Sequence, residues 1–282
     1  MSQLTRLKTY ASFVKIEHTI FSVPLVLSGA MLARWGWPSP WIISLMLVAA
    51  AGARAVGMGL NRIIDAEIDA RNPRTQKREL PAGMMSKKQA WLFIAGATAV
   101  YLAAAALIAP ICLKLSPIPV LLFAGYPYLK RFTALAHLGL GLAWSLAPVG
   151  GWLAVVKDLR GIGEVGWLWF FSLCWVTGFD IIYATMDEVF DRQQGLHSLP
   201  ARLGKAHALQ LSACLHAVAF LSLYALWRDH FHTFASFVWL LVVGLALIWE
   251  QLAAGRNPEF AFFKLNGAIG FFVFLLVWGG VS

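Results

Sequence analysis

Apolar stretches long enough to cross a bilayer recur from one end of this chain to the other. A hydrocarbon core of about 30 Å takes roughly 20 apolar residues per helix. We place nine spans, at 18–37, 41–64, 89–110, 115–129, 134–156, 166–189, 206–227, 233–254 and 261–281. The fourth is the least regular, because Pro117, Pro119 and Pro127 interrupt it. Proline is tolerated there when neighbouring helices satisfy the freed carbonyls. The first span runs into Arg34 without a small-residue cleavage site, so a retained helix is expected. With 59% hydrophobic and 13% charged residues, the composition excludes an ordinary soluble domain. The expected architecture is a single all-α membrane domain over 1–282, with helices around a central cavity.

The cations set an orientation. Seventeen of the 23 lysines and arginines fall on the side of the N-terminus, five fall on the other side, and Arg54 lies within a span. By the positive-inside rule the N-terminus is cytoplasmic and the C-terminus outside. The formal charge of +9 sits in short loops between spans, so topology and anionic ligands account for it without nucleic acid. Cys112, Cys174 and Cys214 have no metal-ligand spacing and read as small core residues.

Carboxylates are scarce, yet they cluster in two places. One is Asn61-Arg62-Ile63-Ile64-Asp65-Ala66-Glu67-Ile68-Asp69, at the cytoplasmic end of span two. The other runs from Asp180 through Tyr183 and Asp187 to Asp191, at the same end of span six. The two begin 119 residues apart, and each is followed by Leu-Pro-Ala, at Leu80–Ala82 and Leu199–Ala201. Four spans separate them, so both helices run the same way. This suggests two related halves facing a shared cavity. On a continuous helix Asn61, Asp65 and Asp69 drift only about 80° and form one stripe. Asp180, Tyr183, Asp187 and Asp191 fall within about 100° of one another.

Helix C-termini carry partial negative charge, so stacked carboxylates there need cations. Oxygen-only ligands without His or Cys indicate a hard ion, Mg²⁺ or similar. Mg²⁺ is commonly shared between carboxylates and substrate phosphates. Arg74, Lys77, Arg78, Lys130, Arg131 and Arg202 suit the remaining phosphate charge. A solvated helix boundary explains one acidic stretch well. It explains poorly two such stretches on parallel helices, with cations on the same side. The 13 tryptophans and 19 phenylalanines can surround a lipid chain, though most are packing or interfacial residues.

The pair N-x-x-x-D-x-x-x-D and D-x-x-Y-x-x-x-D-x-x-x-D resembles the UbiA superfamily of intramembrane aromatic prenyltransferases. So do the run Asn72–Thr75 with Arg78, the segment Tyr126–Thr133 and the nine-span layout. The resemblance covers most of the chain. It implies joining of a polyprenyl diphosphate to an aromatic acid acceptor with Mg²⁺. It also implies that Asn61, Asp65 and Asp69 form the first Mg²⁺–diphosphate motif and that Asp187 and Asp191, led by Asp180, form the second. Arg74, Arg78, Lys130 and Arg131 are implied as diphosphate contacts. Tyr183 would orient a carboxylate or face the allylic carbon, and Asp191 would take the ring proton. Asp65, Asp187, Asp191 and Tyr183 are therefore the expected catalytic group.

Lys15, Glu17 and His18 occupy the place of a polar cluster that in 4-hydroxybenzoate enzymes more often reads Arg-x-Asp-Lys-Pro. Lys15 and His18 are thus expected at the acceptor. The runs Val14–Thr19 and Gly195–Arg202 resemble a short bacterial branch of the family. For that branch the acceptor is 4-hydroxybenzoate, or 1,4-dihydroxy-6-naphthoate of the futalosine route to menaquinone. A bacterial inner membrane and a role in ubiquinone or menaquinone biosynthesis follow as expectations. The other reading is a non-enzymatic transporter of a phospholipid or prenyl phosphate. Acidic groups at one membrane face, rather than at the midplane, argue against it. His197 reads as a cap or solvated side chain, and His137, His207 and His216 read as structural.

Overall fold

The computed structural model describes the backbone of residues 3–15 and 19–282, and the side chains of 8–15 and 22–282. Glu17 and His18 lie outside the described residues. The described residues form helices joined by short turns, with no strand. In chain order these are α1 (Gln3–Phe13), α2 (Thr19–Arg34), α3 (Pro40–Ile64), α4 (Ala66–Arg71) and α5 (Lys87–Ile108). Then come α6 (Pro110–Leu115), α7 (Pro117–Leu129), α8 (Ala136–Val156), α9 (Gly166–Ala184), α10 (Glu188–Gln193) and α11 (Leu199–Leu203). The chain ends with α12 (Lys205–His230), α13 (Phe234–Ala254), α14 (Pro258–Phe260) and α15 (Asn266–Val281).

Eight segments among the described residues are long and apolar enough to cross a membrane. They correspond to the second to ninth expected spans. The first expected span is the 16-residue α2, shorter than the others. At 1.5 Å per residue it covers about 24 Å, less than a full hydrocarbon core. The fourth span begins earlier than its prolines suggested, running from Pro110 to Leu129 as α6 and α7. Proline at the start of each piece is compatible with a helix, since the first N–H groups have no intrahelical acceptor. Ser116 joins the two pieces, and its carbonyl accepts from the Tyr101 hydroxyl at 3.3 Å.

The helices close into a ring. α2 packs on α8, α8 on α9, α9 on α12, α12 on α13, α13 on α15, and α15 returns to α2. α3 lies against α5 and α7. The α2–α8 crossing is tight: a Cβ added at Gly29 would lie 1.9 Å from the Pro148 carbonyl oxygen, and one at Gly151 1.9 Å from that of Val26. Small residues let membrane helices approach this closely.

A buried polar network holds the α9–α12–α13–α15 side. Trp175 donates to Asn266 Oδ1 at 2.8 Å, and Asn266 donates to Glu250 Oε1 at 2.8 Å. Gln251 contacts both Ser212 and His216. A π-helical turn over Ala261–Leu265 precedes α15, and its Phe262 ring sits 4.4 Å from that of Tyr183. Helices α2, α3, α5, α6, α7, α8 and α9 line a largely apolar cavity of about 980 Å³. Its walls include Val26, Met46, Leu140, Trp144 and Leu153, and both acidic stretches border it.

Candidate active site

The α3 helix does not continue through its acidic stretch. Asp65 caps it, with φ −93° and ψ 1°, and α4 starts afresh at Ala66. The single stripe expected for Asn61, Asp65 and Asp69 is therefore a bend. It sinks both aspartates into the protein, Asp65 to 3% and Asp69 to 5% exposure. The second stretch also changes winding: α9 ends at Ala184, a 3₁₀ turn covers Thr185–Asp187, and α10 carries Asp191. The carboxylates of this stretch remain part-exposed.

Each carboxylate has its own partner. Lys130 Nζ donates to Asp65 Oδ2 at 2.6 Å, and Asn61 Nδ2 reaches the same oxygen at 3.2 Å. Arg78 Nη1 lies 2.8 Å from each oxygen of Asp69. Arg74 crosses between the two stretches. Its Nε donates to Asp187 Oδ1 at 2.9 Å, its Nη2 pairs with Asp187 Oδ2, and its Nη1 donates to the Tyr183 hydroxyl at 2.6 Å. The guanidinium also lies over the Tyr183 ring, 4.7 Å from its centroid. Asn72 Nδ2 adds a bond to Asp187 at 2.8 Å, while Asn72 Oδ1 accepts from the Arg74 backbone N–H. The Asn72–Arg74 turn thus aims a fork at the opposite stretch.

Burial holds the Asp65 carboxyl above its ordinary range, only partly offset by Lys130. Burial works against the charged Arg74, but its bonds to Asp187 and Tyr183 hold it above the ordinary arginine value. One oxygen of Asp65, Oδ1, is buried without a hydrogen-bond partner. The donors are all oxygen, and Asp65 lines the cavity together with the other carboxylates, so the set fits a hard divalent ion. Among the described residues no three carboxylates are already gathered closely enough to hold a metal. The internal cations occupy them instead.

Asn61, Asp65, Asp69, Asp180, Tyr183, Asp187, Asp191, Arg74, Arg78, Lys130 and Lys15 all border the cavity. Lys77 borders it too. Arg131 and Arg202 do not. Arg131 donates to the Ile64 carbonyl at 2.8 Å and stacks on Tyr128, so it caps the end of α3 from outside. Arg202 is exposed on α11. The second Leu-Pro-Ala opens that helix behind a Ser198 cap, whereas the first lies in turns.

His137 belongs to the site, contrary to its reading as a structural residue. It is buried on α8, and its Nδ1 lies 2.7 Å from Asp180 Oδ2. Its Nε2 accepts from the Leu199 backbone N–H at 3.3 Å, which leaves the ring proton on Nδ1 to donate to Asp180. Ser198, beside Leu199, borders the cavity together with Asp191. Lys130 takes part as well, because its carbonyl accepts from the His197 N–H at 2.7 Å. No spacing rule links His137 to Asp180, 43 residues away.

A family model described as the UbiA prenyltransferase family matches residues 22–276. The chain is 29% identical over 285 residues to a 4-hydroxybenzoate octaprenyltransferase of Vibrio atlanticus, covering 97% of this chain and 99% of that one. It is 30% identical over 249 residues to the protein of the same name in Coxiella burnetii, with 86% and 85% covered. Among solved structures, the apo form of a UbiA homolog from Aeropyrum pernix K1 matches with a TM-score of 0.85 and 36% identity, covering 92% of this chain and 96% of that one. A UbiA homolog from Archaeoglobus fulgidus bound to GPP and Mg²⁺ shares the fold at a TM-score of 0.72 and 17% identity, covering 97% and 99%.

Proposed function

Because this chain belongs to the UbiA prenyltransferase family, we propose that it moves a polyprenyl group from polyprenyl diphosphate to a carboxylated phenol, with 4-hydroxybenzoate the type acceptor, in quinone biosynthesis. One observation carries the reading most: a paired set of carboxylates and cations closes the polar end of an apolar cavity of about 980 Å³. A diphosphate head and a polyprenyl tail have that same division of chemistry.

Asp65 and Asp69 on one side, and Asp187 and Asp191 on the other, would hold Mg²⁺, with Asn61 and Asp180 beside them. The ion would screen the diphosphate and stabilise it as a leaving group. Arg74, Arg78 and Lys130 can exchange a carboxylate for a phosphate oxygen without leaving the site, since phosphate suits their donors equally well. Charge then accumulates on the departing diphosphate where preorganised cations already wait. The allylic C–O bond breaks, and its electron pair stays with the diphosphate. The ring carbon ortho to the phenol oxygen supplies the pair for the new C–C bond. The ring proton passes to a carboxylate, a role we assign to Asp191 at the cavity wall. Tyr183 and Phe262 wall the reacting end, and the apolar cavity keeps out water that would otherwise capture the cation.

The same reading puts the site on the cytoplasmic side of a bacterial inner membrane. The test is a product assay on purified protein with one prenyl diphosphate, Mg²⁺, and 4-hydroxybenzoate and 1,4-dihydroxy-6-naphthoate side by side. C-prenylated product from a carboxylated phenol is expected. Absence of product from both acceptors overturns the proposal.

A further inference from the structure

Arg62 is a buried cation at the site whose fork takes no part in the ion pairs above. It lines the cavity, is 5% exposed, and has Nε and Nη1 buried without a hydrogen-bond partner among the described residues. An arginine stays charged in any protein setting, so a buried fork without an acceptor is costly. The neighbouring carboxylates make no ion pair with it among the described residues. Asp69 gives both oxygens to Arg78. Glu79 accepts from the Ser12 hydroxyl at 2.6 Å through Oε1, while its Oε2 is also buried and unpartnered. Arg62 feels Arg78, Glu79, Asp69 and Tyr183 electrostatically but makes no ion pair among the described residues.

Its depth identifies the missing partner. Arg62 precedes Asp65 by three residues on α3, so it lies about 4.5 Å further into the membrane. Tyr183 likewise precedes Asp187 by one turn on the opposite stretch. If the carboxylates mark the level of the diphosphate, Arg62 and Tyr183 mark the level of the first allylic carbon. The attacking ring must arrive at that level.

We propose that Arg62 is the carboxylate receptor of an acceptor subsite, pairing its planar fork with the planar carboxylate of the aromatic acid. This rests on the reading that the acceptor is a carboxylated phenol. A diphosphate oxygen is the other oxyanion that could reach the fork, and the two sources separate by kinetics.

The experiment compares wild type, Arg62→Gln and Arg62→Lys with separate titrations of acceptor and prenyl diphosphate. Each is also offered the methyl ester of the acceptor. For Arg62→Gln, the acceptor KM should rise about tenfold or more, as expected for a lost charged hydrogen bond, with the prenyl diphosphate KM within about twofold of wild type. Preference for the free acid over its ester should collapse. Arg62→Lys keeps the charge but loses the fork, so its loss should be intermediate and confined to the acceptor KM. A rise in the prenyl diphosphate KM instead, or an unchanged preference for acid over ester in either variant, overturns the proposal. Wild type that makes no product with any carboxylated phenol overturns the parent reading, whereas wild-type product with unaltered acceptor kinetics in the variants overturns only the role of Arg62. If Arg62→Gln does not fold, Arg62→Lys alone decides.

Discussion

The two acidic stretches look like repeats, but the protein treats them differently. The first is enclosed: Asp65 and Asp69 are buried, and Asp69 is held by Arg78 from the loop directly after it. The second stays open to the cavity mouth and borrows its partners from elsewhere. Asp187 is held by Asn72 and Arg74, more than 100 residues away, and Asp180 by His137. Burial makes the first stretch expensive to leave unpaired. Long-range pairing makes the second a latch between the halves. The comparison teaches that similar motifs can divide one site into a rigid wall and an adjustable one.

The largest effect should not distinguish the two walls. Asp65→Ala and Asp187→Ala should each lower turnover by about 10³-fold or more, because each removes a carboxylate proposed to hold the Mg²⁺ that screens the leaving diphosphate. The variants should elute from size exclusion as wild type does. Near-normal turnover in either, measured with radiolabelled prenyl diphosphate, would sink the assignment of that wall.

Stability should separate them. Arg78→Ala leaves Asp69 buried and unpaired, a change that typically costs about 3–5 kcal/mol. Arg74→Ala leaves Asp187 part-exposed with Asn72 still donating, so about 1–2 kcal/mol is expected. Thermal unfolding in detergent should therefore show the larger drop in Tm for Arg78→Ala. Equal drops, or the reverse order, would erase the distinction between enclosed and open walls.

His137 sharpens the account of the open wall. His137→Ala should reduce kcat about tenfold, the usual scale for removing a group that orients a carboxylate in a metal site. His137→Asn can still present an N–H near the Nδ1 position, so it should recover much of the loss. Failure of Asn to improve on Ala would mean that the Leu199 contact, not the Asp180 contact, matters.

Much of this was legible beforehand, for physical reasons. Long apolar runs cannot hide, so eight spans fall where hydropathy put them. Carboxylates beside such runs are conspicuous for the same reason, and the motif residues do converge on one cavity. What stayed hidden depends on backbone detail or on contacts distant in sequence. The break at Asp65 has no proline or glycine to announce it. His137 looked like a lone histidine on an apolar helix because its partner lies across a helix interface. Arg62 was absorbed into the count of cytoplasmic positive charges, and nothing in sequence says which arginine lacks a counterion. Arg131 shows the converse: its neighbour Lys130 turns inward to Asp65, while Arg131 turns out to cap α3.

The smallest expected effect is a shift in pH rather than a loss. Burial raises the Asp65 carboxyl, and Lys130 partly offsets the rise. A carboxyl with a raised pKa loses its charge earlier as pH falls. Removing the offset in Lys130→Gln must raise that pKa further, so the ionised form needed at the site survives only at higher pH. The acid limb of kcat/KM, recorded at fixed Mg²⁺, should move upward for Lys130→Gln and stay near wild type for Lys130→Arg, which keeps the charge. Lys130→Gln will also be slower, since Lys130 is a proposed phosphate contact, but a lower plateau does not by itself displace the limb. Asp187 makes no ion pair with Lys130 among the described residues, its partners being Arg74 and Asn72. Asp191 also feels the Lys130 charge, so a limb that moves with Lys130 reports Asp65 or Asp191, and one that does not move assigns the acid limb to another group.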